Sequence, residues 1–562
     1  MLKALDEERR PGRIRRIRRG ATALGVAVAV GCGVVACESS LGEAAEGGMF
    51  RLGSDQPIDS LNPFVAVVSE SFSVFQQIYP NLVQLGPGDR YVPEFATDWT
   101  TSRDGRTWTF HTHAGATWSD GRPLTAADAA WTLSTIKKFQ DGPAASMASH
   151  VTGLVSATAP DARTVVLTYS RPVANVLTQV TSVPILPEHV WKKYAGGDGG
   201  ALTTFTNSAP VVCGGPFTLV KYVPKQVALF RRNPEYYGTK PRIAGFGIQF
   251  FGTDDAMILA LKSHQLDGVQ NVPNTSVENL EAAGFEVVSS PGLSFDSLTV
   301  NANPKQRAAH RELADPRVRE ALDRAINRDE IVRTSLLGRG RPGSSIIPPG
   351  TAHWYDRTVT PTPYDPEAAN RLLDQAGYRR GPGGVRIANG HPMRYPMILP
   401  DDTSSGYGLR SFQIVRSDFA RIGVRLTPRL LDNAAANDAL AADDSKEFTM
   451  SMWAWSGAAS DPDDTLNYLT CRSWGTLNDT GYCGREWDRL YAEQGAAMDP
   501  AARRRIVDRM QRMAARQRIL LVLDYADKIE AHSRSWTDLP LVGGESFSAE
   551  SKIPLQSVRR AG

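Results

Sequence analysis

Along this chain, stretches in which bulky apolar residues recur at every second position give way to stretches in which they recur every third and fourth, a pattern that predicts a mixed α/β fold. In Thr107-Trp108-Thr109-Phe110-His111-Thr112-His113 apolar and polar residues alternate as on a half-buried strand, and the preceding Asp104-Gly105 signals a tight hairpin. The stretches from Ser294 to Asn301 and from Arg394 to Leu399 read as further strands. A second turn at Asp120-Gly121 leads into a helix with Thr125 as N-cap, Asp128 at the capping-box position, and Ala129, Leu133 and Ile136 facing inward. Three later helices open with one device, Asp315-Pro316, Asp365-Pro366 and Asp499-Pro500, in which Asp accepts orphan N–H bonds and Pro supplies a pre-set first residue. After the first, Val318, Ala321, Leu322, Ala325 and Ile326 form one buried stripe; the second runs through Ala369, Leu372, Leu373 and Ala376 to Gly377, a natural C′ residue.

The length, 562 residues, exceeds what one core fills, because single cores stop growing at about 250–300 residues. Two large lobes are expected. With 41% hydrophobic and 22% charged residues, the body is that of a soluble globular protein. The net charge of +3 belongs to the leader: the first twenty residues hold eight cations against three anions, so the remainder carries −2 and nothing argues for nucleic-acid binding.

That basic leader runs into Ala21 to Ala36, an uncharged apolar run rich in small residues and short for a membrane span, which reads as an export signal over residues 1–36. It ends in Val34-Val35-Ala36-Cys37, which resembles the lipobox of bacterial lipoproteins, where the cysteine is lipidated and becomes the new N-terminus. Cys32 is a weaker alternative, and the Arg-Arg pairs leave Sec and twin-arginine export both open. Residues 37–48 are small, polar and glycine-rich, as a flexible tether should be. In an oxidising compartment Cys471 and Cys483 are expected to pair, flanking a loop with Gly475, Asn478 and Gly481, while Cys213 reads as a buried small hydrophobe. No Cys/His set shows zinc spacing, and neither a resident metal nor a cofactor is expected.

The ordered series of segments resembles the extracellular solute-binding proteins of family 5, the oligopeptide, dipeptide and nickel receptors of ABC importers. The resemblance covers about residues 50 to 560. Its most specific stretch runs from Pro93-Glu94-Phe95-Ala96-Thr97-Asp98-Trp99 through Asp104-Gly105-Arg106-Thr107-Trp108-Thr109-Phe110 to Asp120-Gly121-Arg122-Pro123-Leu124-Thr125-Ala126-Ala127-Asp128, and Gly214-Gly215-Pro216-Phe217 and Asp315-Pro316-Arg317-Val318-Arg319 follow in family order. The resemblance implies a type II, two-lobed periplasmic-binding-protein-like fold with the ligand in a cleft between lobes: lobe I at 49–295 with an extra subdomain at about 85–206, lobe II at 296–515, and a C-terminal return to lobe I at 516–562. It implies a monomer that closes around an oligopeptide or peptide-like solute and delivers it to ABC permease subunits, held at the membrane through Cys37.

For the ligand, the resemblance points first to Trp455, matching a cleft tryptophan of peptide-binding relatives. The aspartate expected three residues later, which pairs with a peptide amino group, is replaced by Ala458, and Asp461 substitutes only if the loop differs. Trp453 shares a strand face with Trp455 by i, i+2 spacing; Tyr407 and Phe295 are further candidates. Modified peptides, cyclic compounds, sugar oligomers and metal chelates stay open as ligands. Asp461, Asp463 and Asp464 read as turn chemistry or a solvated acidic patch, and Arg503-Arg504-Arg505 as the wet side of a helix. An exported hydrolase would show a nucleophile elbow, HExxH or SxxK motif, and none is present, so no enzymatic activity is expected. A solute sensor that does not transport is not separable from an importer by sequence.

Overall fold

All three Asp-Pro pairs start helices as the local chemistry dictates. The carboxylate of Asp315 accepts the Arg317 N–H at 2.9 Å, that of Asp365 the Ala368 N–H at 2.7 Å, and that of Asp499 the Ala502 N–H at 2.7 Å. Helices follow over Pro316–Ala325, Pro366–Gln375 and Pro500–Gln517. The Thr125 N–H donates to Asp128 at 2.9 Å, closing one arm of the capping box ahead of the helix Ala126–Lys138. This computed structural model describes residues 47–562 except 302–309, 352, 401–406, 442–447, 458–459, 475–476, 479 and 549. The export signal, Cys37 and most of the tether lie outside the described residues, as does Ala458.

Twelve strands form one mixed sheet: β1 Met49–Ser54, β2 Phe217–Val223, β3 Val227–Arg232, β4 Gly245–Phe250, β5 Gly268–Val269, β6 Glu286–Pro291, β7 Ser294–Val300, β8 Gly340–Pro342, β9 Arg394–Pro400, β10 Arg425–Leu431, β11 Met450–Ser456 and β12 Leu520–His532. The order is β10-β9-β11-β7-β12-β5-β1-β4-β3-β2, with β6 and β8 also paired to β12. The strands from β10 to β7 pack on one set of hydrophobic clusters and those from β5 to β2 on another, and these two parts are called lobe II and lobe I below. β12 joins the halves: it runs antiparallel to β7, with Leu521 opposite Leu298, and then antiparallel to β6, with Asp527 opposite Pro291 and His532 opposite Glu286.

The sequence of β12, Leu-Leu-Val-Leu-Asp-Tyr-Ala-Asp-Lys-Ile-Glu-Ala-His, explains how one strand serves three cores. Leu521 and Leu523 enter the cluster built on Val318, Leu322 and Phe412; Leu520 and Val522, on alternate positions, and Tyr525, beyond the bulge at Leu523, enter the cluster of Trp354, Trp487 and Met510 on the other face of lobe II; Ile529 and Ala531 enter a lobe I cluster with Met257 and Leu280. Between these apolar runs, from Asp524 to Lys528, the strand turns polar where it crosses between lobes. The outward crossing is Pro291-Gly292-Leu293-Ser294. Its glycine is required, since a Cβ on Gly292 would lie 2.3 Å from the Ala526 carbonyl oxygen of β12.

Lobe I also carries a separate antiparallel sheet in the order Ala96–Thr101, Thr107–Thr112, Thr164–Tyr169, Leu154–Asp161. Its first two strands are the hairpin that Asp104-Gly105 signalled, and its buried side chains, Phe110 and Leu167 among them, join the cluster of Phe50 and Phe246. The C-terminal segment returns to that cluster through Trp536, Phe547, Leu555 and Val558. Cys471 and Cys483 form a disulfide, and Cys213 is buried, its thiol pushed up to about 12 by burial.

Candidate functional site

At the two crossings the lobes line an open cavity of about 490 Å³. Lobe I contributes Ser69, Ser73, Asn271 and Glu545, the crossings contribute Gly292, Ser294, Asp527 and Lys528, and lobe II contributes Ser456 and Gly457. Strand alternation places the two serines there: Ser294 of β7 is opposite Ser456 of β11, and their hydroxyls lie 2.9 Å apart. The Gly457 N–H donates to the Leu293 carbonyl at 3.1 Å, tying the loop after β11 to the crossing.

The same alternation turns the predicted aromatic residues away. Phe295, one position from Ser294, is 1% exposed, and Trp455, its cross-strand neighbour, is 8% exposed; both pack in the lobe II cluster with Trp487 and Met510. Trp455 lies against Tyr468 with ring centroids 4.4 Å apart, and its indole N–H is buried without a hydrogen-bond acceptor. Neither ring lines the cavity. Trp453 is partly buried between two lobe II clusters. Tyr407 begins the helix Tyr407–Arg421, and its side chain lies outside the described residues.

Asp461 is also engaged elsewhere. Arg503 grips its carboxylate with both terminal nitrogens, one of them at 2.7 Å from Oδ1, and the pair is buried. The Arg503 guanidinium further donates to Gln494 Oε1 at 3.0 and 2.9 Å and stacks over Trp354. This corrects one expectation, since Arg503 is not on the wet side of its helix; of the two readings of the acidic loop the turn chemistry holds, the Asp463 N–H donating to Asp461 Oδ1 at 2.9 Å, while the Asp463 carboxylate accepts from Gln494 at 2.7 Å and Tyr491 at 3.0 Å. The helix Pro500–Gln517 buries Arg503 on the face it shares with Val507 and Met510, at i+4 and i+7.

The electrostatics of the cavity come from lobe I and β12. Lys528 donates to Asn271 Oδ1 at 2.7 Å and pairs with Glu545 at 3.5 Å, and Asn271 in turn donates to Asp55 at 2.9 Å. Burial pushes the Glu70 carboxyl up to about 8, against the pull of Lys528 and a hydrogen bond from Ser54; Asp55 and Glu545 raise it further. Its Oε1 is buried with no hydrogen-bond partner. Burial also pushes Glu530 up to about 7, although the Ser546 N–H donates to both of its oxygens. Among the lining residues Asp527, Glu545 and Glu550 thus face one ammonium, Lys528, an arrangement that favours an added positive charge. Sequence reasoning missed these groups because they come from residues 55 to 550, and no local spacing connects them.

The family described as bacterial extracellular solute-binding proteins, family 5 (middle region), matches residues 90–476. Protein XP55 of Streptomyces lividans is 27% identical over 529 residues, covering 91% of each chain. Among solved structures, the periplasmic binding protein DppA of Helicobacter pylori in complex with the peptide STSA superposes with a TM-score of 0.73 at 20% identity, over 92% of this chain and 99% of that one. The oligopeptide-binding protein AppA of Bacillus subtilis, in complex with a nonapeptide, gives 0.75 at 18% identity, over 92% and 100%. The fold is the two-lobed, type II periplasmic-binding-protein architecture with a cleft between its lobes. The chain belongs to the family 5 solute-binding proteins of ABC transporters.

Proposed function

We propose that this binding protein captures a peptide-like solute bearing a positive charge, closes its lobes around it, and delivers it to the permease of an ABC importer while tethered to the outer face of the membrane through a lipid on Cys37. The moving bodies in this reading are residues 49–295 with the return at 516–562, and residues 296–515, swinging about the crossings at 291–294 and 524–528. The observation that carries the ligand chemistry is the acid-rich cavity: Asp527, Glu545 and Glu550 line it against one lining ammonium, Lys528, so an amino or guanidinium group entering there meets carboxylate acceptors in excess of cations. The hydroxyls of Ser294 and Ser456 and the backbone of the crossings suit amide groups. In this reading Trp455 and Trp453 support the lobe II wall from behind rather than touch the solute. The fold relatives bound to STSA and to a nonapeptide support a peptide-like occupant.

The decisive experiment is mass spectrometry of the small molecule released when the purified mature chain is denatured, followed by calorimetry with that compound and with its N-acetylated form. A cationic peptide-like compound whose affinity drops at least tenfold on acetylation is the expected result. An anionic or purely neutral ligand would overturn the reading. A Cys37→Ser chain recovered in the soluble fraction, where the native chain partitions into detergent, is expected for the anchor.

A further inference from the structure

We propose that lobe II carries a site for a divalent first-row transition metal, formed by His310, Glu312 and His391 and separate from the interlobe cavity. His310 Nδ1 lies 3.4 Å from Glu312 Oε1, His391 Nε2 lies 3.7 Å from Glu312 Oε2, and the donor atoms of all three lie within 4.8 Å of one another. The two imidazoles meet edge to face with centroids 5.3 Å apart. Two donors at about 2.0–2.2 Å from a tetrahedral ion stand about 3.3 Å apart, so both His–Glu distances are already close to those of a filled site. The His391 side chain is 26% exposed, so the third donor sits on the open side of the set.

Two observations point to a cation here rather than to a self-sufficient hydrogen-bonded cluster. Glu312 is fully buried, yet among the described residues its ion-pair partners are the two imidazoles, with no lysine or arginine. A buried carboxylate without a countercharge is costly. His310 Nδ1, facing that carboxylate, is buried and makes no hydrogen bond; an ion between the two would satisfy both.

The supporting shell holds the carboxylate in place. Tyr395 donates its hydroxyl to Oε1 at 2.7 Å and Asn389 its amide to Oε2 at 3.1 Å, which orients each oxygen toward a different histidine. Local sequence builds both halves. Asn389-Gly390, each with positive φ, is a two-residue hairpin turn that pairs Ala388 with His391, while His310 and Glu312 flank the start of the 3-10 turn Arg311–Ala314. Two imidazoles and one carboxylate suit zinc, nickel, cobalt or iron and leave a position for water. None of the three residues lines the interlobe cavity. A bound ion would clamp the 387–392 hairpin to the turn before Pro316–Ala325.

The test uses the whole mature chain, stripped with chelator and titrated with Zn²⁺ by calorimetry, with thermal unfolding measured in zinc and in EDTA. One equivalent bound at micromolar affinity or tighter, and a melting temperature that falls on chelation, are expected. His391→Ala and His310→Ala, at partly exposed positions, should each weaken that equivalent at least tenfold and remove the chelator-sensitive part of the melt. The proposal is overturned if the native chain binds no zinc, or if both variants bind the same equivalent as tightly as the native chain.

Discussion

Ser460, on lobe II, donates a 2.8 Å hydrogen bond to Oε1 of Glu550, which belongs to the returning segment of lobe I, where its carbonyl accepts the Leu85 N–H. A second cross-lobe bond runs from the Ala174 N–H to the Gly495 carbonyl at 2.9 Å. Hydrogen bonds to a charged acceptor contribute about 1.5–3 kcal/mol, and 1.4 kcal/mol is about a tenfold change in population. Ser460→Ala is therefore expected to move the mature chain toward open states, raising the radius of gyration in small-angle scattering while urea unfolding changes little. An unchanged scattering curve would mean that this bond plays no part in closure.

Arg503 and Asp461 form a buried bidentate pair, and removing one partner strands the other charge in the interior. Arg503→Ala should cost about 3–5 kcal/mol in denaturant unfolding, and Arg503→Lys should recover only part of it because an ammonium cannot reproduce the fork. A loss below about 1 kcal/mol for the alanine variant would show that the pair is not integral to the fold.

Trp455 packs against Tyr468 and shares a cluster with Phe295. Trp455→Ala is expected to destabilise lobe II by about 3–5 kcal/mol through the cavity it leaves. It should affect solute affinity only through that loss. A variant that melts like the native chain but binds its solute much more weakly would return Trp455 to the cleft.

These particulars show which parts of the structure local sequence can specify. The Asp-Pro helices, the capping box and the Asp104-Gly105 hairpin were legible because donor, acceptor and turn residue lie within a few positions of one another. The i, i+2 spacing of Trp453 and Trp455 identifies a shared face without saying which face is the cleft; the opposition of Ser294 and Ser456, which brings their hydroxyls to the cavity, depends on pairing between strands more than 150 residues apart in sequence. Sequence alone leaves Arg503 on a solvated face because its partner lies 42 residues away. The Glu70, Lys528 and Glu545 set and the His310, Glu312 and His391 set are likewise products of tertiary contact.

Glu70 offers a prediction in which the sign can be worked out. Its folded-state value of about 8 lies above the 4.5 of an unperturbed glutamate, because burial penalises the carboxylate more than Lys528 and Ser54 favour it. The folded chain therefore holds a proton that the unfolded chain has released between those values. The stability this contributes is complete below about 4.5 and is lost as pH rises through about 8. Glu530, raised to about 7, adds to the same trend. Glu70→Gln mimics the protonated form, so it should unfold like the native chain at pH 5 and be more stable than it at pH 9 by at least about 1 kcal/mol. Thermal melts at both values would check this, and a variant less stable at pH 9 would contradict it.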